Sequence, residues 1–238
     1  MQKLLNQEQV AAFYHSIFVD GQVAHFKEFV QRNLLSHKDV VVDVGGGCGY
    51  FAQAIQQQLG VPVRVIDMDP VSVQQCVSAG IEAFCEDALN VRRRGDEGVV
   101  CFNLILHHLV GTSDKRTALL QKQALCVWKG GKVKLFVNEY IYDSWFGNFS
   151  GWLIYQVTVN KVLSALAKAV SVVIPSLRAN TFGVGVRFRS RDEWRKFFHE
   201  SGFVIKGEVK GGEEVISLPR RLLLIKSIRK DSFLLESA

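Results

Sequence analysis

The chain has little of what marks fibrous, linker-like or exported proteins. Proline occurs four times and glycine 20 times in 238 residues, which excludes collagen-like and low-complexity composition. Cysteine occurs five times, as Cys48, Cys76, Cys85, Cys101 and Cys126, an odd number with no CxxC pair. That usage points to reduced thiols of a cytoplasmic protein rather than a disulfide framework. No Cys/His spacing suits zinc, so no metal site is expected. No stretch reads as a cleavable export signal. The most apolar run, Val162 to Leu177, is broken by Lys168 and Pro175, so no membrane span is expected either. Acidic residues are missing from Ser144 to Arg191, where Lys161, Lys168, Arg178, Arg187, Arg189 and Arg191 stand. The net charge of +6 and pI near 9.1 leave nucleic acid, an anionic membrane surface or an acidic substrate open as partners. The dense run Arg92-Arg93-Arg94 reads as a solvated loop.

What is present suffices for one large core. Hydrophobic residues make up 48% and charged residues 22%, which excludes global disorder and fits a single α/β domain over residues 1–238. Mean hydropathy is slightly positive at +0.11, which hints at an apolar surface or pocket. Residues 3–19 and 23–35 carry apolar side chains at helical spacing and are expected to form an N-terminal helical lid over 1–37. Short β-branched runs then alternate with helical ones: Asp39–Val44, Pro62–Ile66, Ile81–Cys85, Gly98–Leu106 and Lys132–Val137 are the expected strands. Such alternation implies a parallel sheet with right-handed crossovers and helices on both faces. Asp69-Pro70 and Ser113-Asp114 are helix starts. The alternation breaks over 144–188, an aromatic segment with helix-like runs that is expected to form a cap insertion after the fifth strand. Ser190 caps another helix, and Phe203–Val209 and Arg221–Ile228 read as an antiparallel hairpin at the sheet edge.

The most informative segment is Val41-Val-Asp43-Val-Gly45-Gly-Gly47-Cys-Gly49-Tyr50, a strand running into a glycine turn and then a helix. Glycines there allow positive φ and close approach of a ligand. The spacing is G-x-G-x-G rather than the dinucleotide G-x-G-x-x-G, so there is no evident pyrophosphate cradle. Eighteen residues past Gly49, Asp67 ends the second strand, where a carboxylate accepts both hydroxyls of a ribose. Met68 follows it. Asp87 and Ala88 end the third strand, and Asp87 is either an acceptor for an adenine amino group or a turn residue. A glycine turn followed by acids on successive strand ends describes a nucleoside site without phosphates.

These stretches resemble the motifs of the class I S-adenosylmethionine-dependent methyltransferases. DVGGGCG resembles the first motif, VIDMDP the second and CEDALN the third, and the likeness covers about residues 38–140. It implies a Rossmann-like seven-stranded sheet of order 3-2-1-4-5-7-6 with strand 7 antiparallel. It also implies S-adenosyl-L-methionine as cofactor, with Asp43, Gly45, Gly47, Gly49, Asp67, Met68, Asp87 and Ala88 around it. Asn103 departs from the resemblance, because the family usually has an acid in the fourth strand. Tyr14 either closes a lid over the cofactor or packs its helix on the core.

Four residues are candidates for the chemistry. His107 and His108 follow the fourth strand, and one is either a general base or a strand-end hydrogen-bonding group. Asn138 and Tyr140 end the fifth strand, Asn138 to orient an amine or hydroxyl, Tyr140 to offer its ring to a cation. The leading expectation is methyl transfer to an O or N atom of a small molecule. The alternative resembles the azetidine-2-carboxylate synthases, which close the amino-acid part of S-adenosylmethionine into a ring and release methylthioadenosine. An RNA methyltransferase is a third reading, disfavoured because no (D/N)PP(Y/F) tetrapeptide follows the fourth strand. The apolar insertion suits a lid or a homodimer surface equally.

Overall fold

The structure is a computed structural model that describes residues 16–30, 39–174, 177 and 181–238. Tyr14 and most of the expected N-terminal lid lie outside the described residues. Seven strands form one sheet: β1 Val40–Val44, β2 Val63–Asp67, β3 Glu82–Cys85, β4 Glu97–Asn103, β5 Lys134–Ser144, β6 Phe203–Val209 and β7 Ile225–Ser237. Their order is β3-β2-β1-β4-β5-β7-β6. β1 to β5 run parallel, and β7 is antiparallel to both β5 and β6. This is the order expected from the motifs.

Eight α-helices connect and flank these strands among the described residues. They are α1 Ser16–Val30, α2 Tyr50–Leu59, α3 Pro70–Ser78, α4 Asp114–Cys126, α5 Phe149–Val159, α6 Lys161–Val173, α7 Arg191–Glu200 and the single turn α8 Leu218–Arg221. Residues on the central strands alternate between two cores, as a two-fold side-chain period requires. Val42, Val44, Val100, Phe102, Leu135 and Val137 face α4 and α7, where Leu125, Trp128, Trp194 and Phe198 close the layer. Val41, Val65, Val99, Cys101 and Phe136 face α1 and α2, where Phe26, Phe29, Phe51 and Ile55 close the other. Helices therefore cover both faces, which is why β1 and β4 are apolar almost throughout.

Helix starts follow local chemistry. Asp69 accepts hydrogen bonds from Val71 and Ser72 N–H, with Pro70 at the first helical position. Ser190 forms a capping box with Glu193. Several boundaries differ from expectation: β4 ends at Asn103 rather than Leu106, and β7 runs on to Ser237 rather than ending at Ile228. One helix runs through Gly21, because Val23, Phe26 and Phe29 bury against the second core and hold it straight. β5 continues to Ser144, because β7 pairs with it along its whole length. β7 itself starts at Ile225 rather than Arg221: Ser217-Leu-Pro219 opens the turn of α8, and Leu224 then takes φ 59. The insertion after β5 forms the two helices α5 and α6.

Candidate functional site

The site lies at the carboxyl edge of the parallel strands, where an open α/β sheet has its ligand crevice. One face of that edge carries a band of polar side chains. Each stands two residues beyond a residue of the α1/α2 core: Asp67 after Val65, Asp43 after Val41, Asn103 after Cys101 and Asn138 after Phe136. On antiparallel β7, Ser232 occupies the corresponding place two residues before Leu234 and pairs with Asn138. The apolar layer thus gives way to a polar one at one level on β4, β5 and β7, with Asp67 on β2 in step, and one pleat earlier on β1, where Asp43 lies opposite Val65 and Cys101.

The members are connected. Gly47 N–H donates to Asp67 Oδ2 at 2.9 Å, and Asp69 N–H to Asp67 Oδ1 at 2.9 Å. Asn103 Nδ2 donates to Asp43 Oδ1 at 3.0 Å. Asn138 Nδ2 donates to Ser232 Oγ at 2.7 Å, which lies 2.8 Å from His25 Nδ1 on α1. Two acceptors are left over: Oδ1 of Asn103 and Oδ1 of Asn138 are buried with no hydrogen-bond partner. The strands place these residues directly opposite each other. Buried amide oxygens without partners cost free energy, so a pair of them here points to donors supplied by a ligand. Leu104 immediately follows with φ 56, a left-handed conformation rare for leucine and typical of constrained sites. Asn103 was noted in the sequence only as a departure; its place in the V-x-D, C-x-N, F-x-N spacing is the signal that assigns it to the band.

The glycine turn sits above the band. Gly45, Gly47 and Gly49 all have positive φ, at 70°, 53° and 77°. A Cβ at Gly46 would lie 2.5 Å from Asp43 Oδ2, whereas one at Gly47 would meet nothing within 4 Å. The turn is therefore packed beneath and open above Gly47. The N–H groups of Gly45, Gly47 and Gly49 are engaged with Ile66 O, Asp67 Oδ2 and Gly46 O, so these glycines contribute shape and room rather than donors. Met68 is half-buried next to Asp67, and its carbonyl accepts from the Cys85 thiol. Asp87 is exposed and its Oδ1 accepts from Leu89 N–H, which closes a turn over buried Ala88.

Burial pushes the Asp43 carboxyl from 3.8 up to about 7; the Asn103 hydrogen bond opposes this and the Asp67 charge adds to it. The folded protein therefore holds a proton on Asp43 in a window where the unfolded chain has lost it. Stability contributed by this group is complete below pH 4 and falls as pH rises towards 7, by up to about 1.4 kcal/mol per pH unit. Asp43→Asn, which keeps the shape and the acceptor for Asn103, is expected to abolish that fall. In urea unfolding, wild type and variant should match near pH 4, and the variant should be more stable by on the order of 3 kcal/mol at pH 8. Parallel profiles across that range would show that Asp43 does not titrate there.

On the other side of β5 a second arrangement forms. Residues Leu106–His108 make one turn of 3₁₀ helix after β4. Glu139, fully buried, accepts Leu106 N–H on Oε1 at 2.7 Å and meets His107 Nδ1 with Oε2 at 2.6 Å. Facing a carboxylate, His107 places its proton on Nδ1 and leaves Nε2 as the basic nitrogen. The His107 ring packs against His108 at 4.2 Å, Phe188 at 5.0 Å and Tyr140 at 5.8 Å. Phe188 stacks on Tyr142 at 4.1 Å. Burial, with His107 beside it, drives the His108 pKa well below the ordinary histidine value, so that ring is neutral. Tyr140 carries the Lys230 ammonium over its ring at 5.0 Å. The sequence named His107, His108 and Tyr140 but missed Glu139 as partner and Phe188 as wall.

Three of the basic residues between 144 and 191 are spoken for. Arg187 pairs with Asp114 and Glu193, Arg189 donates to Gln121, and Arg191 pairs with Asp231 and Glu208. These arginines brace the cap and do not line an anion site. The 92–94 loop is likewise tied down: Arg94 pairs with Glu86 and stacks on Phe84, and Arg93 donates to Lys129 O. No cluster of metal-ligating side chains exists among the described residues.

No protein-family model matches the chain, and no curated protein matches its sequence. Solved structures match its fold. A S-adenosylmethionine-dependent methyltransferase from Clostridium acetobutylicum aligns at a TM-score of 0.56 and 9% identity, over 92% of this chain and 92% of the other. The 1,6-didemethyltoxoflavin-N1-methyltransferase of Burkholderia thailandensis, solved with bound 1,6-didemethyltoxoflavin and S-adenosylhomocysteine, aligns at 0.56 and 12% identity, over 100% and 93%. Geranyl diphosphate methyltransferase, solved in complex with S-adenosylmethionine, aligns at 0.56 and 11% identity, over 97% and 90%. At these identities the likeness is one of fold alone.

Proposed function

We propose that this chain, which has the fold of the class I S-adenosylmethionine-dependent methyltransferases, is an enzyme that binds S-adenosyl-L-methionine and transfers its methyl group to an O or N atom of a small molecule. The donor set fits that cofactor. Asp67 keeps lone pairs for ribose hydroxyls beyond those used by Gly47 and Asp69. The orphan oxygens of Asn103 and Asn138 suit the donors of an α-ammonium group. The turn is open above Gly47. When bound, the cofactor supplies an activated methyl group on a sulfonium.

The observation that carries the reading is the buried His107–Glu139 pair at 2.6 Å, whose Glu139 directly follows the band residue Asn138 on β5. Glu139 fixes the ring and its tautomer, and Nε2 takes the proton of the acceptor hydroxyl or ammonium. His108, Tyr140 and Phe188 pack against the His107 ring and hold it in place. Since Tyr140 already carries Lys230 over its ring, we assign it to this wall rather than to the sulfonium.

The unpartnered oxygens on Asn103 and Asn138 favour a second reading, ring closure within the amino-acid portion of S-adenosylmethionine, because they would hold the amine that attacks. One incubation separates the two. Protein and S-adenosylmethionine alone are expected to give no methylthioadenosine, with S-adenosylhomocysteine forming only once an acceptor is added. Methylthioadenosine produced without an acceptor assigns ring closure instead.

A further inference from the structure

Helix α6 is built inside out. Its inward residues are serines: Ser164 and Ser171 are buried, and Ser164 Oγ donates to Val157 O at 2.7 Å. Its outward residues are Val162, Leu163, Leu166, Val170, Val172 and Val173, with Leu166 60% and Val173 81% exposed. A surface helix of a monomer shows the reverse arrangement. The approach to α5 adds exposed rings, those of Trp145, Phe146, Phe149 and Trp152. Leu218 and Leu222, also exposed, lie on the neighbouring α8 segment, which Trp145 N–H and Ser150 Oγ bind through the Leu224 and Leu223 carbonyls. So many exposed large apolar side chains on adjoining segments mark an interface.

The charge around it selects the partner. No acid occurs from 144 to 191. Lys161 and Lys168 flank the apolar residues of α6, and Lys226 lies over the exposed Trp145 ring at 5.6 Å. At the start of the insertion Asp143 is paired with Arg229, and the exposed Asp192 lines a cleft with Asn148 and Lys226 at the edge of this face. Lys161 and Lys168 are the only charged residues of α6, so a second copy set on this helix would bring lysines against lysines. Apolar side chains bordered by tryptophan and lysine, with no acid on α5 or α6, match the headgroup boundary of an anionic bilayer. α6 has 13 residues, too few to span the hydrocarbon core, so it would lie in the interface plane.

We propose that the α5–α6 face docks on anionic lipid membranes, with the outward side of α6 entering the headgroup region. The proposal does not depend on the reaction assigned above. Its test is flotation of the full chain with vesicles of phosphatidylcholine alone and of phosphatidylcholine with phosphatidylglycerol. Binding is expected on the anionic vesicles, weaker on the neutral ones and reduced by salt. Tryptophan emission should shift to the blue and be quenched by brominated acyl chains; Trp128 and Trp194 are buried, so Trp145 and Trp152 report it. The double variant Leu166→Glu/Val170→Glu alters exposed positions only, and should lower partitioning at least about tenfold with an unchanged melting temperature. Lys161→Glu/Lys168→Glu should lose the preference for anionic vesicles. Absence of flotation, or equal flotation of Leu166→Glu/Val170→Glu, overturns the proposal. So does a lipid-free dimer that this double variant reverts to monomer, which would make the face a subunit interface.

Discussion

His107→Gln is expected to lose turnover by about 10²- to 10⁴-fold while its affinity for S-adenosylmethionine stays within about threefold of wild type. The split follows from where the groups sit. His107 meets Glu139 and an aromatic wall, whereas the nucleoside-facing groups are Asp67 and the glycine turn. Glu139→Gln tests the same dyad from its other end. A glutamine there still accepts Leu106 N–H through its oxygen, but offers N–H to His107 Nδ1. The ring must then carry its proton on Nε2, where the base is needed, so turnover should fall nearly as far as in His107→Gln with little change in melting temperature. His108→Gln should cost much less, since His108 serves as a neutral neighbour. If His107→Gln turned over within about threefold of wild type, the base would have no part in the reaction.

The first five strands were legible because both sheet faces are covered, which leaves continuous β-branched runs bounded by glycine and aspartate; their order was implied only by the resemblance of the motifs. The glycine turn and Asp67 were legible for a related reason: a strand end that needs positive φ and a carboxylate leaves residue types little else selects. The His107–Glu139 contact was not, since it joins residues 32 apart across two strands, and nothing local distinguishes Glu139 from a solvated strand residue. Its complete burial is a tertiary fact. The insertion misled in a similar way. Counting charges along 144–191 gives a cationic cap, but the acids that neutralise Arg187 and Arg191 come from α4, α7, β6 and β7. The band from Asp67 to Ser232 stands between these cases. Its spacing relative to the core is visible in each strand taken alone, yet it becomes a site only when the strands are set side by side.

Asp67→Ala should weaken S-adenosylmethionine binding by about 10²- to 10⁴-fold in calorimetry, because a carboxylate that accepts two ligand hydroxyls contributes about 1.5–3 kcal/mol through each bond. The same side chain also holds Gly47 N–H and Asp69 N–H, so its removal loosens the turn that leaves room for the ligand. Asp67→Asn separates the two contributions. Its single oxygen satisfies one backbone N–H and sets an amide N–H against the other, so its affinity should fall between those of Asp67→Ala and wild type. Asp87→Ala should cost less than either, as Asp87 is exposed and one oxygen is committed to Leu89 N–H. Burial raises the Asp67 pKa, with the Asp69 charge adding to it and the backbone hydrogen bonds opposing. The ionised form accepts ribose hydroxyls better, so binding by wild type should weaken as pH falls, beginning at a higher pH than an ordinary carboxylate gives, and Asp67→Ala should lose that dependence. Wild-type affinity in Asp67→Ala, with the fold intact, would place the nucleoside somewhere other than the crevice between Gly47 and Asp67.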